Sequence, residues 1–282
     1  MTAITQIQAR GLSFTAEVAG PEQGPLVVLL HGFPQTRYTW RAELPALAAA
    51  GYRCVAYDQR GYSAGARPQA LSAYRPEEMI ADVLAIASEL GADQFHLVGH
   101  DWGGQIAWCT AVLHPERVTT LAVISRPHPA AFLRAMREDP AQAARSGHHQ
   151  KFQDAAAADE LLANDAAQLR DMFTKWGGVP AADAQAYLDT LGERDALDAA
   201  INWYRAVRET KIDLASLPPV TMPALYVWGT GDETVGRMAA EGTAAMVNGP
   251  YQFIQLDDVG HFVTDAVPGV FTRQLLDHLA AA

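Results

Sequence analysis

The chain has 282 residues, 49% of them hydrophobic and 19% charged, with a formal net charge of −11. That length can bury one large core plus an insertion, and the balance is ordinary for a globular enzyme. The negative charge argues against nucleic acid or an anionic membrane surface as partner, and no apolar stretch is long enough to span a bilayer. The two cysteines, Cys54 in an apolar run and Cys109 in a helical one, read as small buried hydrophobes. No disulfide framework follows, which suits a reducing compartment. Met1 to Gln6 carry no basic segment followed by an apolar one, so a cytoplasmic protein without a secretory leader is expected.

Along the chain, Ile4–Ala9 and Leu12–Val18 read as a hairpin. Leu26 to Leu30 is a continuous apolar run, as expected of a strand buried on both faces. A helix is predicted over about 38–50, closed by Gly51. The next strand is Tyr52 to Tyr57. Pro76 opens a helix that Gly91 stops. Gln94 to Val98 is again strand, a helix runs to about His114, and Val118 to Ser125 is strand. From Pro127 to Pro219 the chain is alanine-rich and helical, and the run Asp154 to Glu160 reads as a helix start. Strands return at Ala224–Trp228 and Gln252–Leu256, and a helix closes the chain from Pro268. Alternating strands and helices imply a mostly parallel sheet covered on both faces. The expected division is a core from residues 1–126 and 219–282 with a helical cap inserted over 127–218.

Chemistry concentrates where strands end. Gly99-His100-Asp101-Trp102-Gly103-Gly104 follows a strand and opens a helix, the layout G-x-nucleophile-x-G. Its glycines leave room for a tight corner. The central residue is a carboxylate, which points to attack on a saturated carbon and an ester on the protein. Three further strands end in His31-Gly32-Phe33-Pro34, in Gly229-Thr230-Gly231-Asp232, and in Asp257-Asp258-Val259-Gly260-His261-Phe262. The chain order is nucleophile Asp101, acid Asp232, base His261. Other readings stand beside these. His261 also reads as an ordinary loop histidine, and Asp232 as the N-cap of a helix starting at Thr234-Val235. Asp257 and Asp258 compete for the acid role but sit where turn chemistry is expected. Gly229, Gly231 and Gly236 miss the dinucleotide-binding spacing, and His148-His149 lacks a third spaced metal ligand. No cofactor and no metal are expected.

These motifs, with Asp58-Gln59-Arg60-Gly61-Tyr62-Ser63, resemble the epoxide hydrolase and haloalkane dehalogenase branch of the α/β-hydrolases over nearly all of the core. The resemblance implies an eight-stranded, mostly parallel sheet with an inserted helical cap. It gives Asp101 as nucleophile, His261 as the base that activates water, and Asp232 as the acid that holds the imidazole. The same resemblance implies that the backbone N–H groups of Phe33 and Trp102 supply the oxyanion hole and that His31 and His100 are structural.

Epoxide opening also needs a hydrogen-bond donor opposite the nucleophile. The lid segment Asn202-Trp203-Tyr204-Arg205 makes Tyr204 one candidate. His148 stands nearest the position of a second, with His149 as fallback, since a neutral imidazole N–H can donate. Phe33, Trp102, His149, Phe152, Trp176 and Trp203 are the expected substrate-lining residues. A dehalogenase would need N–H donors around a halide, from Trp102 with Trp176 or Trp203. Fluoroacetate dehalogenases carry arginines just after the nucleophile, where this chain has Trp102, Gly103 and Gln105. The expected activity is therefore an epoxide hydrolase acting on a small apolar epoxide with water as co-substrate. The alternatives are a haloalkane or haloacid dehalogenase and a non-catalytic ligand-binding member of the fold. A monomer or homodimer is expected.

Overall fold

The computed structural model describes residues 2–281; Met1 and Ala282, the two ends of the expected core span, lie outside the described residues. Eight strands form one sheet: β1 (Ala3–Ala9), β2 (Leu12–Ala19), β3 (Leu26–Leu30), β4 (Arg53–Tyr57), β5 (Phe95–His100), β6 (Val118–Ile124), β7 (Ala224–Gly229) and β8 (Tyr251–Leu256). Their order is β1-β2-β4-β3-β5-β6-β7-β8. β1 and β2 are antiparallel, as is the pairing of β2 with β4, and every later pairing is parallel. The hairpin turns at Arg10-Gly11, both at positive φ (51° and 76°), the backbone that a two-residue hairpin loop requires.

β3, β5 and β7 are buried along their whole length, as the unbroken apolar sequences of β3 and β7 predict, and β5 buries His96 and His100 along with its apolar residues. Alternate residues feed two cores. Val28, Leu30, Leu97 and Val123 face one side with Val83, Ile86 and Ile106. Val27, Leu29, Val98 and Ile124 face the other with Leu44, Leu47, Phe271 and Leu275. The period of two along each strand thus decides which helix layer a residue supports.

Between Ile124 and Ala224 the described residues contain helices and no strand. This segment packs on the sheet's carboxyl edge through specific bonds. Trp203 Nε1 donates to the Arg60 carbonyl at 2.8 Å, Tyr187 donates to Asp265 at 2.9 Å, and Arg41 pairs with both Asp265 (2.7 Å) and Asp183 (2.9 Å). The alanine-rich run enters its helix at Ala157. One predicted helix is split. In place of a helix over 38–50 there is a 3₁₀ turn, Arg37–Trp40, then a helix, Glu43–Ala49. Pro45 is the reason: it lacks an N–H and fits only the first turn of a helix, so the helix begins afresh just before it. No helix among the described residues is long and apolar enough to cross a membrane.

Arg60 grips the buried Asp82 with two bonds, 2.7 and 2.6 Å, and ties the loop after β4 to the helix Pro76–Glu89. Removing one partner of such a pair strands the other charge in the interior. Arg60→Met is expected to cost about 3 kcal/mol, read as a lower urea midpoint at unchanged m. An unaltered midpoint would mean that the remaining Arg10 contact to Asp82 suffices.

Candidate active site

Parallel strands deliver their carboxyl ends to one edge of the sheet, and the loops there carry Asp101, Asp232 and His261. Asp101 sits between β5 and the helix Trp102–Leu113 with φ 51° and ψ −117°. A non-glycine residue in such a region costs on the order of 1–3 kcal/mol and needs its surroundings to enforce it. They do so by proximity. A Cβ on Gly103 would overlap the Leu30 carbonyl, and one on Gly32 would overlap Asp101 itself. Phe33 N–H donates to Asp101 Oδ1 at 3.1 Å. Trp102 is the first helical residue, so its N–H has no acceptor within the helix, and the helix N-terminus favours the carboxylate beside it.

His261 Nε2 lies 3.8 Å from Asp101 Oδ2, close but beyond a direct hydrogen bond. On the opposite side of the ring, Nδ1 is 3.1 Å from Asp232 Oδ2. Ser125 Oγ donates to Asp232 Oδ2 at 2.7 Å and Thr234 Oγ1 donates to Oδ1 at 2.8 Å; each oxygen lies 2.9 Å from His261 Nδ1. With its hydroxyls donating to the carboxylate, this cluster presents only acceptors to Nδ1. The proton therefore sits on Nδ1, and the Nε2 lone pair faces Asp101. Burial pulls the imidazole pKa down, but Asp232 and then Asp101 outweigh it, and the net shift is upward. Burial pushes the Asp232 carboxyl up, yet His261, Ser125 and the Thr234 N–H together hold it at about 2. His100 Nε2 donates to the His261 carbonyl at 2.9 Å, and His261 N–H donates to the Trp176 carbonyl, so both the sheet and the helical segment hold the loop.

Both alternative readings of the acid strand can be placed. Asp232 Oδ1 also accepts from the N–H groups of Thr234 (2.7 Å) and Val235 (3.1 Å), so the residue caps its own turn while facing His261; the helix itself starts only at Arg237. Asp258 is a turn residue at φ 57° whose N–H donates to Thr230, and Asp257 accepts from Gln255.

Opposite Asp101 stands an aromatic wall. Tyr204, buried, meets Trp102 (4.9 Å between ring centres), Phe152 (4.8 Å), His149 (5.2 Å), Phe33 (5.4 Å) and His148 (5.8 Å). Burial, and then the Asp101 charge, raise the phenol pKa well above its ordinary value, so it stays a donor. Trp176 packs on both His148 (5.0 Å) and His261 (6.1 Å). His149 stacks on Trp102 and Phe132, while Asp101's charge acts on His148.

Two expectations need correction. His148 Nδ1 lies 3.2 Å from the Arg145 carbonyl, which can only accept. That bond takes the Nδ1 proton and leaves Nε2 as a lone pair, and burial lowers the pKa to about 4, so the ring is neutral. In this arrangement His148 is not the second donor. Trp203 is wholly buried against Tyr62 and His31 with its N–H spent on Arg60, so it is packing behind the wall rather than lining.

Ser125, Arg126 and Thr234 were not singled out from the sequence. Ser125 and Arg126 follow β6, so the rule that drew attention to the other strand ends also marks them. Thr234 carries no comparable signal. Among the described residues no group of three or more His, Cys, Asp or Glu side chains is placed to hold a metal ion.

Residues 25–265 match the family described as alpha/beta hydrolase fold. The chain is 33% identical to epoxide hydrolase A of Mycobacterium tuberculosis, over 97% of this chain and 96% of that protein. A solved structure from work on novel epoxide hydrolases in metagenomes from hot environments superposes with a TM-score of 0.88 at 28% identity, covering 99% of both chains. The Bacillus megaterium epoxide hydrolase, solved with an inhibitor, has the same TM-score, 0.88, at 26% identity over 98% of this chain and 100% of that one.

The low Asp232 pKa has a consequence for stability. A carboxylate held at about 2 against an ordinary 3.8 stabilises the fold above the ordinary value and loses that contribution as pH falls towards the lower one. Asp232→Asn is expected to flatten the dependence of the urea midpoint between roughly pH 4 and pH 2. A wild-type slope in the variant over that window would show that His261 and the two hydroxyls do not hold this carboxylate.

Proposed function

Because the chain belongs to the α/β-hydrolase family, we propose that it is an epoxide hydrolase working through an alkyl ester on Asp101. The observation that carries this is a carboxylate, not a hydroxyl, at the elbow, with the lone pair of His261 Nε2 facing it at 3.8 Å. Similarity to named epoxide hydrolases in sequence and structure supports the substrate class. Residues 127–218 act as the cap that brings Tyr204 over the nucleophile.

In the first step an Asp101 oxygen attacks an epoxide carbon. The carbon–oxygen bond breaks, its electron pair moves to the ring oxygen, and that oxygen takes the Tyr204 proton. In the second step His261 Nε2 takes a proton from water, and the hydroxide adds to the Asp101 carboxyl carbon. The N–H groups of Phe33 and Trp102 hold the resulting oxyanion, a contribution of about 3 kcal/mol per donor in comparable sites. As the ester breaks, its alkyl oxygen takes the proton from His261. The proton left on the Asp101 carboxyl returns to Tyr204, so one epoxide and one water give one vicinal diol. Asp232 stabilises the imidazolium between these transfers. Haloalkane cleavage by the same carboxylate calls for a pair of N–H donors at the halide, and the indole of Trp203 is not free to be one.

His261→Gln is expected to stall after the first step, leaving an intact-mass adduct equal to the epoxide. In wild-type single turnover in heavy-oxygen water, label should enter Asp101 before it enters diol. First-turnover label found only in the diol would falsify the ester route. Tyr204→Phe should slow ester formation by about 10² or more, with substrate affinity less affected. An unchanged rate of adduct formation removes Tyr204 from the first step.

A further inference from the structure

Arg126 carries a charge into the interior with no carboxylate to meet it. The residue is 8% exposed. Its guanidinium bonds to the neutral Gln105 Oε1, while Arg126 Nε and Gln105 Nε2 are both buried with no partner. Phe132 and Trp102 offer only ring faces, 4.0 and 5.7 Å from the guanidinium carbon. The chain treats its other buried arginine differently, since Arg60 has two bonds to Asp82. Burial outweighs every negative group near Arg126, and its pKa falls; Asp101 is the strongest of those groups. An interior cation left in this state is costly unless a ligand completes it.

The same side chain faces empty space. Arg126, Gln105, Trp102, Phe132, His149 and Leu214 line a cavity of about 100 Å³. That is too small for a whole substrate, and of a size for one small polar group. It adjoins the proposed reaction centre: Trp102 directly follows Asp101, and both Trp102 and His149 touch the Tyr204 ring. A guanidinium fork beside an amide donor is the arrangement that recognises a planar carboxylate. The position four residues past the nucleophile holds Gln105, a neutral side chain, and the cation reaches it from the end of β6 instead.

We infer that Arg126 and Gln105 form an anion subsite that takes the carboxylate of an epoxy-acid substrate while its epoxide lies against Asp101. The reacting end of this inference rests on the epoxide hydrolase reading, but the subsite itself is open to test without any reaction. The probes are 3-phenylpropanoate and its amide, neither of which can react. In calorimetric titrations of the wild-type protein the acid should bind at least about tenfold more tightly than the amide. Arg126→Met should abolish that preference and Arg126→Lys should keep part of it. Equal binding of acid and amide by the wild type overturns the subsite, as does no binding of either, or a preference that survives in Arg126→Met. Should Arg126→Met not fold, Gln105→Ala must weaken binding of the acid but not of the amide, and an unchanged preference in that variant also overturns the subsite. A parallel assay then hydrolyses 3-phenylglycidate and its amide. Acid binding without hydrolysis of either epoxide leaves the subsite standing and removes the epoxide reading. Hydrolysis of the amide without preferential acid binding does the reverse.

Discussion

A carboxylate forced into a positive-φ corner is the constraint around which the molecule is arranged. Asp101 is held there by β5, buried along its length, and by a helix whose second residue cannot carry a Cβ. The strain is sustainable because the parallel sheet on either side is rigid and packed on both faces. In return the side chain stands clear of its own backbone, in reach of the Phe33 N–H and within 4 Å of an imidazole. A relaxed turn would remove that carboxylate from both.

The acid–base side solves a different problem, that of keeping charges in a dry interior. Asp232 and His261 are each about 1% exposed. Left alone, burial would neutralise them both. Two hydroxyls and two backbone N–H groups saturate the carboxylate, which keeps its charge and orients the imidazole through Nδ1. Removing Ser125 or Thr234 therefore affects the proton position on His261 as much as it affects packing. The two halves of the site are also joined mechanically, since the His261 loop bonds to His100 on β5 and to Trp176 in the helical segment.

The wall facing Asp101 contrasts with this. It is built of rings, and of its polar members His148 is committed to Arg145, while Tyr204 keeps its phenol proton. Arg126 breaks the pattern, a cation among aromatic faces beside the same tryptophan. A site with an apolar wall and one unpaired charge at its margin sorts substrates by where their own charge lies.

The strands could be read directly, because continuous apolar runs such as Leu26–Leu30 leave a buried parallel strand as the simplest structure, and strand ends then mark the chemistry. Asp101, Asp232 and His261 were legible in that way, being local motifs whose spacing reports a turn. The split at Pro45 was also written in the sequence, although the amphipathic pattern around it concealed it. What a side chain's nitrogen or hydroxyl bonds to was not legible. The His148 ring, the Trp203 indole, Ser125 and Arg126 take their roles from partners such as Arg145, Arg60, Asp232 and Gln105, set by the crossing of elements far apart in the chain. Hydrophobic periodicity and turn chemistry are local and survive in one dimension; hydrogen-bond partnership is a matter of distance and angle, and exists only once the chain has folded.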